Sequence, residues 1–137
     1  MSVASPVQTV YPSAAASAVS AYVETAMSGN NNDLRFTWNM PGTVGNGKTV
    51  AGTFSGSYSS VAVATTGNPV TGIVITGPAS ATAAQVMAAV KNTPAVSALV
   101  SVQTKLGNDG SGTMATFSAI TMANGSGTAP DAPITTL

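Results

Sequence analysis

The sequence predicts an α+β domain: a small, mostly antiparallel, sandwich-like fold of about six strands, with one helix before the final hairpin, a second helix near the N-terminus and extended terminal arms. Three observations predict it. Leu34, Phe36 and Trp38 alternate with Arg35, Thr37 and Asn39, the period of two that puts three large apolar groups on one face of a strand. Thr82-Ala-Ala-Gln85 has the form of a capping box, in which a Thr hydroxyl and a Gln amide satisfy the orphan N–H groups of a helix start. Glycine, asparagine and proline clusters cut the remainder into short β-prone runs.

From Met1 to Pro12 a mixture of Ser, Val, Pro and Thr, interrupted at Pro6 and Pro12, predicts an extended arm. Ser13 then reads as an N-cap, with Val19, Tyr22, Val23, Ala26 and Met27 on one helical face and Gly29 placed to stop the helix. After the strand around Phe36, Pro41-Gly42 and Gly45-Asn46-Gly47 turn the chain. Lys48 to Phe54 and Ser59 to Ala64, rich in Val, Thr, Phe and Ala, predict two further strands, followed by a turn at Gly67-Asn68-Pro69. Val70 to Thr76 contains Ile73-Val74-Ile75, a β-branched run suited to a buried strand. In the helix capped by Thr82, residues Ala83, Val86, Met87 and Val90 form a narrow apolar face. Pro94 disfavours helical geometry at Thr93, so the helix ends near Asn92, and the same proline can open one more turn through Leu99. Val100 to Leu106 and Thr113 to Met122 predict two strands joined as a hairpin at Gly107-Asn108-Asp109-Gly110. Pro130 and Pro133 mark an irregular tail. The organisation is thus an arm and helix over residues 1–31, a β-rich core domain over 32–123 and a tail over 124–137, with Leu34, Phe36, Trp38, Val86 and Val90 in the core.

Composition narrows the chemistry. The 137 residues suffice for one core. Charged residues are 6% of the chain, four of each sign, against roughly 25% in an average soluble domain. A surface so poor in charge has little self-repulsion, which suggests an assembly component covered by partners or kept wet by hydroxyls and amides. Four scattered cations cannot line a phosphate backbone, so direct nucleic-acid binding is not expected. There is no Cys and no His, and the four carboxylates never cluster; neither a metal site nor any other cofactor is expected. No window approaches the ~18 consecutive apolar residues of a membrane span. The start, Met-Ser-Val-Ala-Ser-Pro, has no basic region before an apolar stretch, which points to cytoplasmic synthesis without a secretory signal.

Catalytic readings are weak. Gly42 to Thr49 fits the spacing of a phosphate-binding loop formally, yet Val50-Ala-Gly52-Thr-Phe54-Ser-Gly56 after it is glycine-broken and β-prone where such a loop opens a long helix. A turn between strands is the better reading. Serine hydroxyls have no His to activate them, and Lys91 and Lys105 read as solvated ends of a helix and a strand. Asp109 reads as a turn former, and Trp38 and Phe36 as core rather than a ligand platform. No enzymatic activity and no small-molecule substrate are expected.

Two stretches together carry a resemblance. The first is Asn32-Asp33-Leu34-Arg35-Phe36-Thr37 with Gly42-Thr-Val-Gly45-Asn46-Gly47. The second is Thr82-Ala-Ala-Gln85-Val-Met-Ala-Ala-Val90-Lys-Asn92 with Gly107-Asn-Asp109-Gly110-Ser-Gly112. The pattern resembles a module of structural proteins in the virions of tailed bacteriophages: a strand and glycine turn, a capped helix and a glycine hairpin, here covering about residues 32–125. The chain departs from it in having Trp38 and Asn39 where small residues are usual, and Met122-Ala-Asn124-Gly125 in place of a closing Leu-x-Gly-Gly. The resemblance implies a capsid decoration, or cement, protein on the outer surface of the head, made in the host cytoplasm. Its partners would be the major capsid protein of the same virion and further copies of itself, as a homo-oligomer such as a trimer. The alternatives it implies are a tail-tube, connector or baseplate component, or, more distantly, a bacterial adhesin domain. Tail-tube subunits resemble one another in having acidic lumen faces, which the balanced charge here would hardly provide. On the cement reading the arms grip neighbours through Val3, Val7, Val10 and Tyr11 at one end and Ile134 and Leu137 at the other, apolar residues in segments too short to bury them at home.

Overall fold

The computed structural model describes residues 8–10, 18–128 and 134–136. Its strands are β1 (Gln8–Val10), β2 (Tyr22–Glu24), β3 (Leu34–Trp38), β4 (Thr49–Phe54), β5 (Ala62–Thr66), β6 (Gly72–Gly77), β7 (Val100–Thr104), β8 (Phe117–Thr121) and β9 (Ile134–Thr136). Two helices, α1 (Ala83–Lys91) and the single turn α2 (Pro94–Ser97), lie between β6 and β7, and a 3-10 turn spans Thr43–Gly45. The fold is α+β. Seven strands form two mostly antiparallel sheets, β2-β3-β7 and β5-β6-β4-β8, and only β4 and β6 run parallel; β1 and β9 pair with each other.

β3 has the alternation expected of it, with Leu34, Phe36 and Trp38 buried and Arg35 and Thr37 half-buried on the other side. Facing it across the core are Val50 and Phe54 of β4, Val63 of β5, and Ile73 and Ile75 of β6, with Val86, Val90 and Val96 of the helices completing one cluster. Gly52 breaks the β4 row because the ring of Phe117 occupies the space: an added Cβ would lie 2.5 Å from Phe117 Cε1.

The two sheets are joined by backbone as well as by side chains. Met122 N donates to Lys48 O (2.7 Å), at the end of the β4–β8 pairing. The next residue, Ala123, exchanges both backbone hydrogen bonds with Tyr22 (3.0 Å each), so the chain leaves one sheet and adds itself to the β2 edge of the other. The outer strands that remain are β5 and β7. Both are contacted by α1 and α2, which fill the gap between them.

The helix begins where its capping box lies. Gln85 N donates to Thr82 Oγ1 (3.3 Å) and Thr82 N donates to Gln85 Oε1 (2.9 Å). Ala83 N and Ala84 N donate to the carbonyls of Gly112 (3.0 Å) and Gly110 (2.8 Å), so the glycine-rich loop completes the cap from outside the helix. The helix ends before Pro94, which opens α2.

Two elements differ from the sequence reading. There is no helix on the face Val19, Tyr22, Val23, Ala26 and Met27; β2 stands there, antiparallel to β3 in the register Tyr22↔Thr37, Val23↔Phe36, Glu24↔Arg35, and Ser13 lies outside the described residues. The inward residues are Ala21, Val23 and Thr25, a period of two concealed by one very small and one polar member. The hairpin expected at Gly107–Gly110 is also absent. β7 pairs with β3 and β8 with β4, so the turn carries the chain from one sheet to the other. Smaller differences are that β5 starts three residues later than expected, at Ala62, and that Val74 points outward from β6 while Ile73 and Ile75 point in.

A polar junction fixes the loop before β3. Thr25 Oγ1 donates to Asp33 Oδ1 (2.9 Å) and accepts from Leu34 N (2.9 Å), while Met27 N donates to the same carboxylate oxygen (2.7 Å). The buried Asn32 donates from Nδ2 to the carbonyls of Ser28 (2.8 Å) and Thr113 (2.9 Å).

Candidate functional site

The chemistry-bearing residues singled out in the sequence have structural partners. Lys48 Nζ donates to Val70 O (2.8 Å) and lies 5.2 Å from the centre of the Trp38 ring. Its loop is a 3-10 turn leading into a strand, so Gly42 to Thr49 has none of the strand-loop-helix geometry that cradles phosphate. Asp109 accepts from Ser111 Oγ (2.6 Å) and Ser111 N (2.9 Å), and these bonds hold its carboxyl below the usual carboxylate range. Lys91 and Lys105 stand at the ends of α1 and β7. Arg35 lies 4.0 Å from the Tyr22 ring centre, with Nε 3.6 Å from Glu24 Oε2, a half-buried ion pair too long to be a hydrogen bond. Among the described residues no three acidic side chains come together as a metal site would require.

Asn46 acts as a strap. Its side chain donates from Nδ2 to Gly125 O and accepts from Gly125 N on Oδ1, both at 2.9 Å, pairing with the backbone of the C-terminal segment as a strand would. Asn46→Ala removes both bonds and is expected to cost about 1–2 kcal/mol, read as a lowered urea midpoint. Hydrogen exchange should show the loss concentrated at Ala123 to Ser126.

Two surfaces remain as candidates for function. The first is the outer face of the four-stranded sheet. Cross-strand register sets Ala62, Thr76 and Thr53 in one row and Ala64, Val74 and Ala51 in the next, with Thr66, Gly72 and Thr49 in a third. Ala62, Ala64, Thr53 and Val74 are exposed, and no charged side chain stands in any of the rows. This is a neutral surface of small side chains. It was readable as the outward half of the Ala62-Val63-Ala64 and Ile73-Val74-Ile75 alternations, but attention to large apolar residues passes over Ala and Thr.

The second is the pair of chain ends. The sequence reading placed grips on two independent arms. Val3, Val7, Tyr11 and Leu137 lie outside the described residues, whereas Val10 and Ile134 are direct partners in a ladder that also joins Thr9 to Thr135 and Gln8 to Thr136. Nearer the body, Val19 and Ser126 exchange backbone hydrogen bonds at 2.9 and 3.0 Å. The chain ends therefore leave the body side by side.

Comparison with family models, with curated proteins and with solved structures finds no match to this chain.

Proposed function

We propose that this chain is a structural protein of a tailed-bacteriophage virion, and within that class a decoration protein that lies on the outer surface of the head and bridges major capsid subunits. The observation that carries the proposal is the neutral outer face of the β5-β6-β4-β8 sheet. Broad contact with another protein needs a surface that loses little on desolvation, and rows of Ala, Thr and Val without a charge meet that need. The resemblance of residues 32–125 to virion modules supports it, as does a net charge of zero over the chain, which leaves no long-range repulsion between copies packed on a shell. Each copy removes apolar area from water at roughly 25 cal/mol per Å², and the terms repeat over the shell against internal pressure.

The test is co-sedimentation of the purified chain with undecorated heads assembled from the major capsid protein encoded in the same genome. Bound copies per head are counted, and the heat or osmotic shock that releases DNA is compared with and without the protein. Saturable binding with a raised release threshold is expected, weakened by Ala64→Glu, which puts a charge on the exposed face. A chain that ignores heads but polymerises into tubes, or purifies with tails, belongs to the tail.

A further inference from the structure

We propose that Asn46 and Asn124 are coupled deamidation sites, each held unreactive by the other's segment, and that reaction at Asn46 unfastens the segment from Ala123 to Ser126. Of the asparagines, only these two precede a glycine. Such a step closes a ring most readily, because a glycine amide has no side chain to obstruct its approach to the preceding Cγ. The fold calls for both glycines. Gly47 has a φ of +90°, and a Cβ on Gly125 would overlap Gly42 O and stand 3.0 Å from Asn46 Oδ1. Both asparagines are exposed, so water reaches them.

The reaction draws only on the chain and water. Gly47 N loses its proton and bonds to Asn46 Cγ, the Cγ–Nδ2 bond breaks, and ammonia carries the proton away, leaving a succinimide. Water then opens the ring at either carbonyl, giving aspartate or isoaspartate with no change of oxidation state. At Asn124 the attacking atom is Gly125 N.

In the folded chain both attacking atoms are engaged. Gly47 N donates to Met122 O (2.9 Å), on the chain segment that carries Asn124. Gly125 N donates to Asn46 Oδ1 (2.9 Å), and the Asn46 Nδ2 that would leave as ammonia donates to Gly125 O (2.9 Å). Asn46 is extended, with ψ 130°, so ring closure requires Gly47 N to leave Met122 and swing round to the Asn46 side chain. Neither step proceeds until the contact between Asn46 and Gly125 opens, and that one local opening frees both. Two reactive steps are thus tied together by a contact spanning 79 positions of sequence.

The products do not restore the contact. Aspartate at position 46 can still accept from Gly125 N, but its other oxygen faces Gly125 O, lone pair against lone pair where a donor stood. Isoaspartate lengthens the backbone by one carbon and draws Gly47 N off Met122 O. Ala123 and Ser126 are then held by their bridges to Tyr22 and Val19 alone, and Asn124 is released to react in turn. Loosening at this edge of the β2-β3-β7 sheet is irreversible and accumulates with the age of the molecule.

The test incubates the full chain in mildly alkaline buffer, with and without denaturing urea, and follows amide-to-acid conversion at each asparagine by peptide mapping and mass spectrometry. Both sites should react more slowly in the folded chain than in urea. Asn46→Asp, the reaction product itself, and Asn46→Ala, which removes the contact without adding a charge, should each speed the folded-state reaction at Asn124 by roughly 5–30-fold, the factor set by two lost hydrogen bonds. In urea the same substitutions should leave Asn124 unchanged, since the contact does not exist there. Hydrogen exchange on Asn46→Asp should show protection lost at Ala123 and Ser126 and kept in β3. Equal rates with and without urea overturn the inference, and so does an Asn124 rate that stays at its native value in either variant. Protection lost from β3 as well would show that Asn46 holds more than one segment, and would overturn the local release.

Discussion

Trp38→Ala is expected to destabilise the domain by about 3–5 kcal/mol, the range for removing a buried aromatic. Trp38 is 5% exposed at the end of β3, opposite Val100. The turn behind it is built around its ring. Gly45 sits so close that an added Cβ would be 2.5 Å from Trp38 Cβ and 2.8 Å from Cγ, and Lys48 covers the ring face while holding Val70 O. Alanine leaves a cavity that the rigid turn cannot collapse into, and it uncovers the apolar stem of Lys48. Urea unfolding followed by far-ultraviolet circular dichroism measures the loss. An unchanged midpoint would mean that the ring is a surface anchor. Trp38→Phe, keeping most of the volume, should recover more than half of the difference.

The second large effect is expected at Gly112. A methyl group there overlaps the carbonyl oxygen of Asn30 and comes within 2.8 Å of Asn31 C, and these neighbours are backbone that cannot swing aside. Gly112 N donates to Asn31 O (2.9 Å), and Gly112 O accepts from Ala83 N, so displacing the residue breaks the loop's hold on β3 and the external cap of α1 together. Gly112→Ala should cost about 1–3 kcal/mol from overpacking, with more added if the cap opens. Gly107→Ala is the control: nothing stands within 4 Å of its Cβ position, and its φ of +89° leaves only the backbone cost. If Gly112→Ala melts no earlier than Gly107→Ala, the close approach of the two loops is not as drawn.

What could be read from the sequence was local. The alternation around Phe36, the capping box at Thr82 and the stop at Pro94 each rest on contacts within a few residues, and each stands where it was expected. What could not be read was partner choice between distant segments. Gly107 and Gly110 have the positive φ that a tight reversal needs, but turn chemistry fixes only that the chain reverses. Whether β8 then pairs with β7 or with β4 depends on Phe117 fitting over Gly52, 65 positions away in sequence. β2 was hidden because the residues flanking its single inward side chain, Val23, are Ala21 and Thr25, neither of them large and apolar; Thr25 is buried through its hydrogen bonds to Asp33 and Leu34.

The candidate surfaces were less legible still. The residues on which the proposed likeness to virion modules rests do structural work: Asn32 and Asp33 in the polar junction, Gly45 under Trp38, Asn46 as a strap, Thr82 and Gln85 in the cap, and Gly112 between loops. A likeness built on them describes a scaffold. The outward rows of Ala and Thr lie outside it, and the pairing of Val10 with Ile134 joins positions that no local pattern connects.

The bridge between Val19 and Ser126 also bears on how such a body can be carried by a larger chain. Its two ends emerge as antiparallel neighbours, about 5 Å apart as adjacent strands are. A surface hairpin of another protein presents the same spacing at its tip. Residues 19–126 could be spliced there as an inserted module without stretching either partner, since the host loop would be closed by the body's own backbone hydrogen bonds. Such an insertion would tie the body to its host through two covalent joints at the Val19–Ser126 bridge.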